Sequence, residues 1–220
     1  MITEKLADVK NTLPKHVTLV AVSKTKPITD LTTAYQAGQR IFGENKVQEM
    51  CDKHEALPKD IQWHFIGHLQ RNKVKYMAEF VSLIHGVDSF KLLKEINKQA
   101  LKVNRVIPVL LQFHIAQEDT KFGLDLNEAH EFLSSEAFKQ LNNINIVGVM
   151  GMATFTDNTE QITQEFANLK SIFTTLKTNH FANAPSFKHI SMGMSGDYEL
   201  AIQQGSTMVR IGSTIFGHRN

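Results

Sequence analysis

A single cysteine, Cys51, excludes an internal disulfide and leaves the fold to apolar packing; such usage fits a reducing compartment. Cys51 lies in the helical-looking stretch Lys46-Val47-Gln48-Glu49-Met50-Cys51, with an acid nearby and no basic group to activate the thiol, so it reads as structural. Prolines number five, and no Pro/Gly/Ser-rich hinge or low-complexity tract interrupts the chain. No apolar run approaches the roughly 20 residues of a membrane helix. The first residues, Met1-Ile2-Thr3-Glu4-Lys5-Leu6-Ala7-Asp8, mix charges and resemble neither a signal peptide nor an Arg-rich transit peptide, which makes the cytoplasm the expected location. Charge of one sign is lacking too. With 24 Lys and Arg against 22 Asp and Glu, the net charge of +2 gives no field for nucleic acid or an anionic membrane. What remains is ordinary for a globular protein: 42% hydrophobic and 21% charged over 220 residues, enough for one large core, and 1–220 reads as a single domain.

Short apolar runs alternate with longer amphipathic stretches. The strands are expected at 16–24, 41–44, 61–67, 82–87, 107–115, 145–152, 187–192 and 207–211, rich in Val, Ile and Phe and often without alternation, as parallel strands buried on both faces are. Helices are expected at 28–38, 46–56, 71–80, 89–103, 126–140, 159–179 and 197–204, with an extra one at 2–12. Asp88 or Ser89 would cap the fourth of the seven, and Asp125 or Asn127 the fifth. The sixth carries Ile162, Phe166, Leu169, Ile172 and Phe173 at core-facing spacing. Eight strands, each but the last followed by a helix, is the count of a (β/α)8 barrel of the α/β class, although the chain is short against the ~250 residues typical of that fold. An open doubly wound sheet is the second architecture, but no glycine fingerprint follows the first strand.

In a barrel, functional groups belong at the C-terminal ends of strands, and the unusual residues of this chain gather there. The run His16-Val17-Thr18-Leu19-Val20-Ala21-Val22-Ser23 ends in Lys24, and Thr25-Lys26-Pro27 stops the strand. A strand-end lysine is often merely solvated. At the mouth of a buried strand, however, the cation is costly to desolvate, which favours the neutral amine that forms Schiff bases with aldehydes. Ser191 and Ser195 after the seventh strand, with Gly212, Ser213 and Thr214 after the eighth, supply glycine and hydroxyl groups where many barrels bind phosphate. Alternation puts Val20, Val22 and Lys24 on one face of the first strand, and Met208, Arg210 and Gly212 on one face of the last. Lysine, arginine and a phosphate cradle at one mouth suggest a phosphorylated aldehyde, of which pyridoxal 5′-phosphate (PLP) is the commonest cofactor.

Five blocks carry a resemblance to a known family: Ala21-Val22-Ser23-Lys24-Thr25-Lys26-Pro27, Phe42-Gly43-Glu44-Asn45-Lys46-Val47-Gln48-Glu49, Trp63-His64-Phe65-Ile66-Gly67-His68-Leu69-Gln70, Ser191-Met192-Gly193-Met194-Ser195-Gly196-Asp197-Tyr198-Glu199, and Val209-Arg210-Ile211-Gly212-Ser213-Thr214-Ile215-Phe216-Gly217. In this order they resemble the YggS/PROSC family of PLP homeostasis proteins over essentially the whole chain. The resemblance implies a barrel similar to the N-terminal domain of alanine racemase, holding PLP as an internal aldimine on Lys24. It implies phosphate-binding positions at Ser191, Gly212 and Ser213 with Thr214 adjacent, Arg210 facing the pyridine nitrogen, and Asn45 near the cofactor. The chain departs from the family in the fifth strand. There Phe113-His114 replaces the usual Val-Asn before Lys121-Phe122-Gly123, so no role passes to that asparagine position.

A fixed cation beside the pyridine nitrogen disfavours its protonation and weakens the ring as an electron sink. With Asn220 the last residue of the sequence, the β-rich domain that gives alanine racemase its tyrosine acid/base is not expected, and by the same resemblance Met152 is expected where that enzyme stacks a histidine on the ring. The expectation is therefore a monomeric PLP carrier that buffers the cofactor or delivers it to apo PLP-dependent enzymes. A racemase or decarboxylase of low activity is the alternative. A cofactor-free Schiff-base enzyme of the aldolase type is a third reading, which would need Glu44 as its acid; Glu44 reads better as a salt-bridge partner or a complement to a helix N-terminus.

Other motifs read as structural. His64 and His68 have the spacing of a helical metal pair but span a strand and its turn, leaving His68 to line the mouth. Arg71, Lys73 and Lys75 read as a solvated helix face, Met150, Met152, Met192 and Met194 mostly as core with Met152 against the cofactor, and Asp197 as a helix cap.

Overall fold

The computed structural model describes residues 1–117 and 122–217, so Lys121 lies outside the described residues. Eight parallel strands, β1 (Thr18–Val22), β2 (Ile41–Glu44), β3 (Gln62–Phe65), β4 (Leu83–Val87), β5 (Ile107–Gln112), β6 (Ile144–Met150), β7 (His189–Met194) and β8 (Met208–Ile211), pair in sequence order into a closed barrel. Closure comes from β1 pairing β8, with Thr18 opposite Met208 and Ala21 opposite Ile211, which excludes the open sheet.

Side chains alternate across each strand and separate two apolar shells. Val20, Leu83, Leu110, Val147, Met150 and Met208 fill the barrel interior. Leu19, Ala21, Phe42, Trp63, Phe65, Val209 and Ile211 belong to the larger core between barrel and helices. Each fully buried Leu, Val, Ile or Phe of that shell contributes about 1.5–3 kcal/mol of hydrophobic stabilisation.

The helical layer comprises α1 (Ile2–Thr12), α2 (Ile28–Gln36), α3 (Val47–Ala56), α4 (Val74–Met77), α5 (Phe90–Lys102), α6 (Leu126–Leu133), α7 (Glu136–Lys139), α8 (Thr159–Asn179), α9 (Tyr198–Gln203) and α10 (Ser213–Phe216). Where one long helix is expected at 126–140 there are two, because Ser135 accepts a hydrogen bond from Phe138 N and starts a new helix. The expected helix at 71–80 is a 3-10 turn, Arg71–Lys73, followed by the single turn of α4. After β8, where the sequence reading placed none, stands the one-turn helix α10. So short a helix cannot cover the outer faces of β8 and β1, and α1, with Leu6 and Val9 buried, packs against α10 and α2 in its place.

The caps resolve the alternatives. Asp125 caps α6 in a reciprocal capping box with Glu128, and Ser89 caps α5. Asp197 occupies the N-cap position of α9, but its carboxylate accepts from Met194 N within the preceding turn, not from the helix, so the expected side-chain cap is corrected. That turn also requires Gly193: its φ is +96°, and a Cβ there would lie 2.7 Å from the Ala201 methyl.

Candidate functional site

A cavity of about 860 Å³ opens at the C-terminal ends of the strands. Lys24, Asn45, Met152, Ser195, Arg210, Gly212 and Ser213, all expected from the sequence, line it. Two expected residues do not. Thr214 is exposed on α10 and Ser191 is wholly buried within β7, not on a loop.

Ser191 sits inside the barrel, and its hydroxyl is engaged on two sides. Arg210 Nη1 donates to Ser191 Oγ at 2.6 Å, and Arg210 Nη2 to the Gly151 carbonyl at 3.1 Å. His85 Nδ1 lies 2.9 Å from Ser191 Oγ, and His85 Nε2 lies 3.0 Å from His64 Nδ1. An arginine can only donate, so Ser191 accepts from it. The histidine tautomers set the direction of the two remaining bonds. The chain crosses the barrel interior from Arg210 on β8 and Ser191 on β7 to His85 on β4 and His64 on β3, and it fixes the plane of the Arg210 guanidinium. Burial pushes Arg210 down to about 10, partly offset by Asp197, so it stays a cation at neutral pH.

Burial, reinforced by His189, lowers His64 to about 3; burial, then His64, Arg210 and His189, hold His85 well below its ordinary value. Both are therefore neutral, so each ring has one donor and one acceptor nitrogen. Their folded pKa values lie below the unfolded value near 6.5, so their contribution to stability is present above that value and is lost as pH falls towards the folded ones. Each contributes a slope of up to about 1.4 kcal/mol per pH unit in that window. Denaturant midpoints are expected to fall between pH 7 and pH 5, above the range where ordinary carboxylates titrate. A flat profile there would contradict this assignment.

Two turns meet at the other side of the cavity. The Ser195 hydroxyl accepts from Gly212 N at 3.2 Å, tying the β7 turn to the start of α10. Gly196 also lines the cavity, and a Cβ on it would meet nothing within 4 Å, so there is room beside this turn.

Lys24 stands two residues beyond the end of the strand. β1 ends at Val22 instead of Lys24, and Thr25 takes a left-handed φ of +65°. Asn45 stands at the end of β2, where Gly67 admits it: a Cβ at Gly67 would lie 2.6 Å from the Asn45 carbonyl oxygen. The Asn45 side-chain Oδ1 is buried without a hydrogen-bond partner.

Glu44 points the other way. Its neighbour Gly43 faces the interior, against Val20 and Ile66, so Glu44 faces α3, where it pairs with Lys53 at 2.7 Å. It does not line the cavity, which removes the acid that an aldolase-type reading required, and the salt-bridge reading holds. Burial outweighs Lys53 and Ser23 and leaves its carboxyl above the ordinary value.

The remaining candidates fall outside the chemistry. His64 belongs to the interior chain, while His68 lines the cavity rim and pairs with Asp88 at 3.0 Å. Met150 and Met192 are fully buried, Met152 is half-buried at the cavity and Met194 is exposed at its rim. Phe113 packs into the outer core. Burial, then Asp52 and Glu55, push the Cys51 thiol up, away from reactivity.

Several contributors were missed. Glu165 accepts from Thr154 N and Oγ1, Gln161 Nε2 and Gln117 N, and so anchors the loop that brings Thr154 and Phe155 to the cavity. Burial raises its pKa, but those hydrogen bonds outweigh burial and leave it below the ordinary value. A lone acid between Ile162 and Phe166 on an apolar helix stripe was the available signal. His85, alone in the buried run Leu83–Val87, was another.

A closed parallel barrel whose C-terminal mouth gathers a lysine, a buried arginine and two tied glycine-hydroxyl turns defines the alanine racemase type of (β/α)8 barrel. The chain belongs to the family described as alanine racemase, N-terminal domain, which it matches over residues 1–220, and within it to the pyridoxal phosphate homeostasis proteins. It is 40% identical over 202 residues to the protein of that name from Aquifex aeolicus, covering 91% of this chain and 86% of the relative. It is 39% identical over 213 residues to the one from Escherichia coli, covering 94% and 88%. The structure of PipY from Synechococcus elongatus with PLP bound is similar at 34% identity and a TM-score of 0.88, covering 99% of this chain and 100% of that one. Alanine racemase from Clostridium difficile, 15% identical with a TM-score of 0.79, shares the fold, and this chain spans 56% of its length.

Proposed function

We propose that this protein holds PLP at the barrel mouth and serves PLP homeostasis by buffering or delivering the cofactor. The observation that carries the reading is one cavity lined by the Lys24 amine, the buried Arg210 cation and the two tied turns of β7 and β8. The homeostasis relatives and PLP-bound PipY support it.

The residues fit the group. Asn45 Oδ1, buried and unpartnered, accepts from a ligand donor such as the phenolic hydroxyl of PLP. Ser195 and Ser213, with Thr214 adjacent, take the phosphate through their hydroxyls and the Ser213 backbone N–H, beside Gly212 and the open space at Gly196. Met152 offers an apolar contact for the ring, and Arg210 faces the ring nitrogen. Ser191 holds Arg210 in place from below. Bound there, the cofactor supplies an aldehyde for an amine and a ring that withdraws electrons.

Lys24 is the amine. Arg210 keeps a positive charge where protonation of the ring nitrogen would add another, which disfavours that protonation and weakens electron withdrawal. This supports holding over turnover. The monomeric state, the cytoplasmic location, the single-domain organisation and apo PLP-dependent enzymes as recipients belong to the same proposal. No helix of the described residues is long and apolar enough to cross a membrane.

The test is the absorbance spectrum after incubation with PLP, followed by addition of an apo PLP-dependent enzyme. A yellow band that borohydride shifts, and that transfers to the added enzyme, is expected. A protein that stays colourless with PLP overturns the reading. Rapid formation of D-amino acids or amines from an amino-acid panel would convert it into an enzyme.

A further inference from the structure

Lys53 is the buried lysine that the proposed function leaves without a task. It lies on α3, 4% exposed, and its ammonium makes three hydrogen bonds: to the Ser23 carbonyl at 2.8 Å, Glu44 Oε1 at 2.7 Å and Glu49 Oε1 at 2.7 Å. Those are all the donors an ammonium has. Each bond leads to one short segment. Glu44 Oε1 also accepts from Ser23 Oγ at 2.6 Å, and Glu49 Oε1 from Thr25 N at 2.6 Å. Ser23 and Thr25 are the two neighbours of Lys24. They belong to a turn closed by Lys26 N bonding the Ser23 carbonyl at 3.0 Å, with Lys24 and Thr25 at its centre.

That turn is unfavourable for its own sequence. Thr25 sits at φ +65°, a region that glycine or asparagine adopts readily and a β-branched residue rarely does. Something outside the turn must hold it, and the Glu49 carboxylate on Thr25 N is the contact in place to do so. An ammonium and a carboxylate buried together, Lys53 and Glu44, with the partly exposed Glu49 beside them, are an inefficient way to stabilise a fold, since apolar residues of the same volume often do as well. Its geometric product here is a fixed backbone on both sides of one side chain.

We infer that Glu44, Lys53 and Glu49 are positioning residues that lock the Ser23–Thr25 turn and thereby aim the Lys24 amine into the cavity for capture of the PLP aldehyde. The inference rests on the proposed role of Lys24. These residues touch neither cavity nor ligand; they act through the backbone of Ser23 and Thr25. Such a lock affects the covalent step and leaves the phosphate and ring contacts alone.

The test compares two ligands on Glu49→Ala and Glu49→Gln. PLP capture is read as the rate of borohydride-fixed labelling of Lys24, located by peptide mass. Pyridoxamine 5′-phosphate, which has the phosphate and ring but no aldehyde, reports the other contacts by its affinity. Glu49→Ala is expected to slow capture about tenfold or more, because misplacing a reacting group by an ångström costs that order of rate. Its affinity for pyridoxamine 5′-phosphate stays within about twofold of the parent protein. Glu49→Gln keeps an acceptor for Thr25 N and recovers most of the rate.

Equal capture rates in Glu49→Ala and the parent protein overturn the lock while leaving the proposed function standing. A parallel fall in both ligands, with no recovery in Glu49→Gln, assigns the residues a purely structural role and also overturns it. Failure of the parent protein to be labelled at Lys24, with pyridoxamine 5′-phosphate still bound, overturns the proposed role of Lys24 and the lock with it. Glu49 is partly exposed, so its alanine variant is expected to fold; thermal melting of both variants checks this, and if the alanine variant does not fold, Glu49→Leu, which fills the volume but offers Thr25 N no acceptor, takes its place with the same expected and overturning outcomes.

Discussion

Lys24→Ala abolishes borohydride-fixed attachment of PLP and the yellow band that reports it, while PLP and pyridoxamine 5′-phosphate are then bound with similar, weaker affinity. The reason is the separation of duties in the cavity. Lys24 supplies the amine, whereas Ser195, Ser213 and Asn45 offer hydrogen bonds that need no aldehyde. Lys24 lies in a turn beyond the end of β1 and is only half-buried, so its truncation is expected to change stability by about 1 kcal/mol or less. The effect is therefore read on the ligand and not on the fold. Peptide mass after reduction gives the decisive control, because Lys26 lines the same cavity. Label found on Lys26 in the parent protein would move the attachment point two residues along and contradict the assignment.

Arg210→Ala is expected to weaken PLP binding by about tenfold or more, by removing charge-assisted contacts worth about 1.5–3 kcal/mol each. Burial lowers the Arg210 pKa to about 10, and its bonds to Ser191 and the Gly151 carbonyl offset the cost of burying the cation. Truncation leaves those two acceptors unpaired, so a loss of stability of about 1–3 kcal/mol is expected beside the loss of ligand affinity. Equilibrium titration with PLP, alongside thermal melting without it, checks both halves. A variant with parental PLP affinity would remove Arg210 from the site.

Much of the barrel is legible in the chain because its signals are local. Uninterrupted apolar runs such as Ile107–Gln112 are what a strand buried on both faces needs, and the stripe Ile162, Phe166, Leu169 and Ile172 is a helix facing a core. Glycine-hydroxyl turns and a lysine and an arginine at strand ends are equally readable. The misses have local causes as well. Ser134 and Ser135 break a continuous helical pattern because serine competes for backbone donors, and the one turn of α10 is too short to show a period. The strand expected at 187–192 already contains Ser191, yet its hydroxyl is expected with the loop that follows; the strand runs on to Met194, and only the fold shows that the hydroxyl meets Arg210 and His85 inside the barrel.

What the sequence determined by itself is the alternation of elements, the residue types at the strand ends and the family they resemble, all properties of neighbours along the chain. Tertiary structure alone decided three things. Pairing of β1 with β8 closed the barrel and set Lys24 and Arg210 around one cavity. Side-chain direction turned Glu44 outward to Lys53 and Ser191 inward to Arg210 and His85. Long-range contact brought Glu49 of α3 onto Thr25, beside Lys24. These depend on distances between residues far apart in sequence, and hydrophobic periodicity carries no record of which distant strand, helix or carboxylate a given side chain will meet.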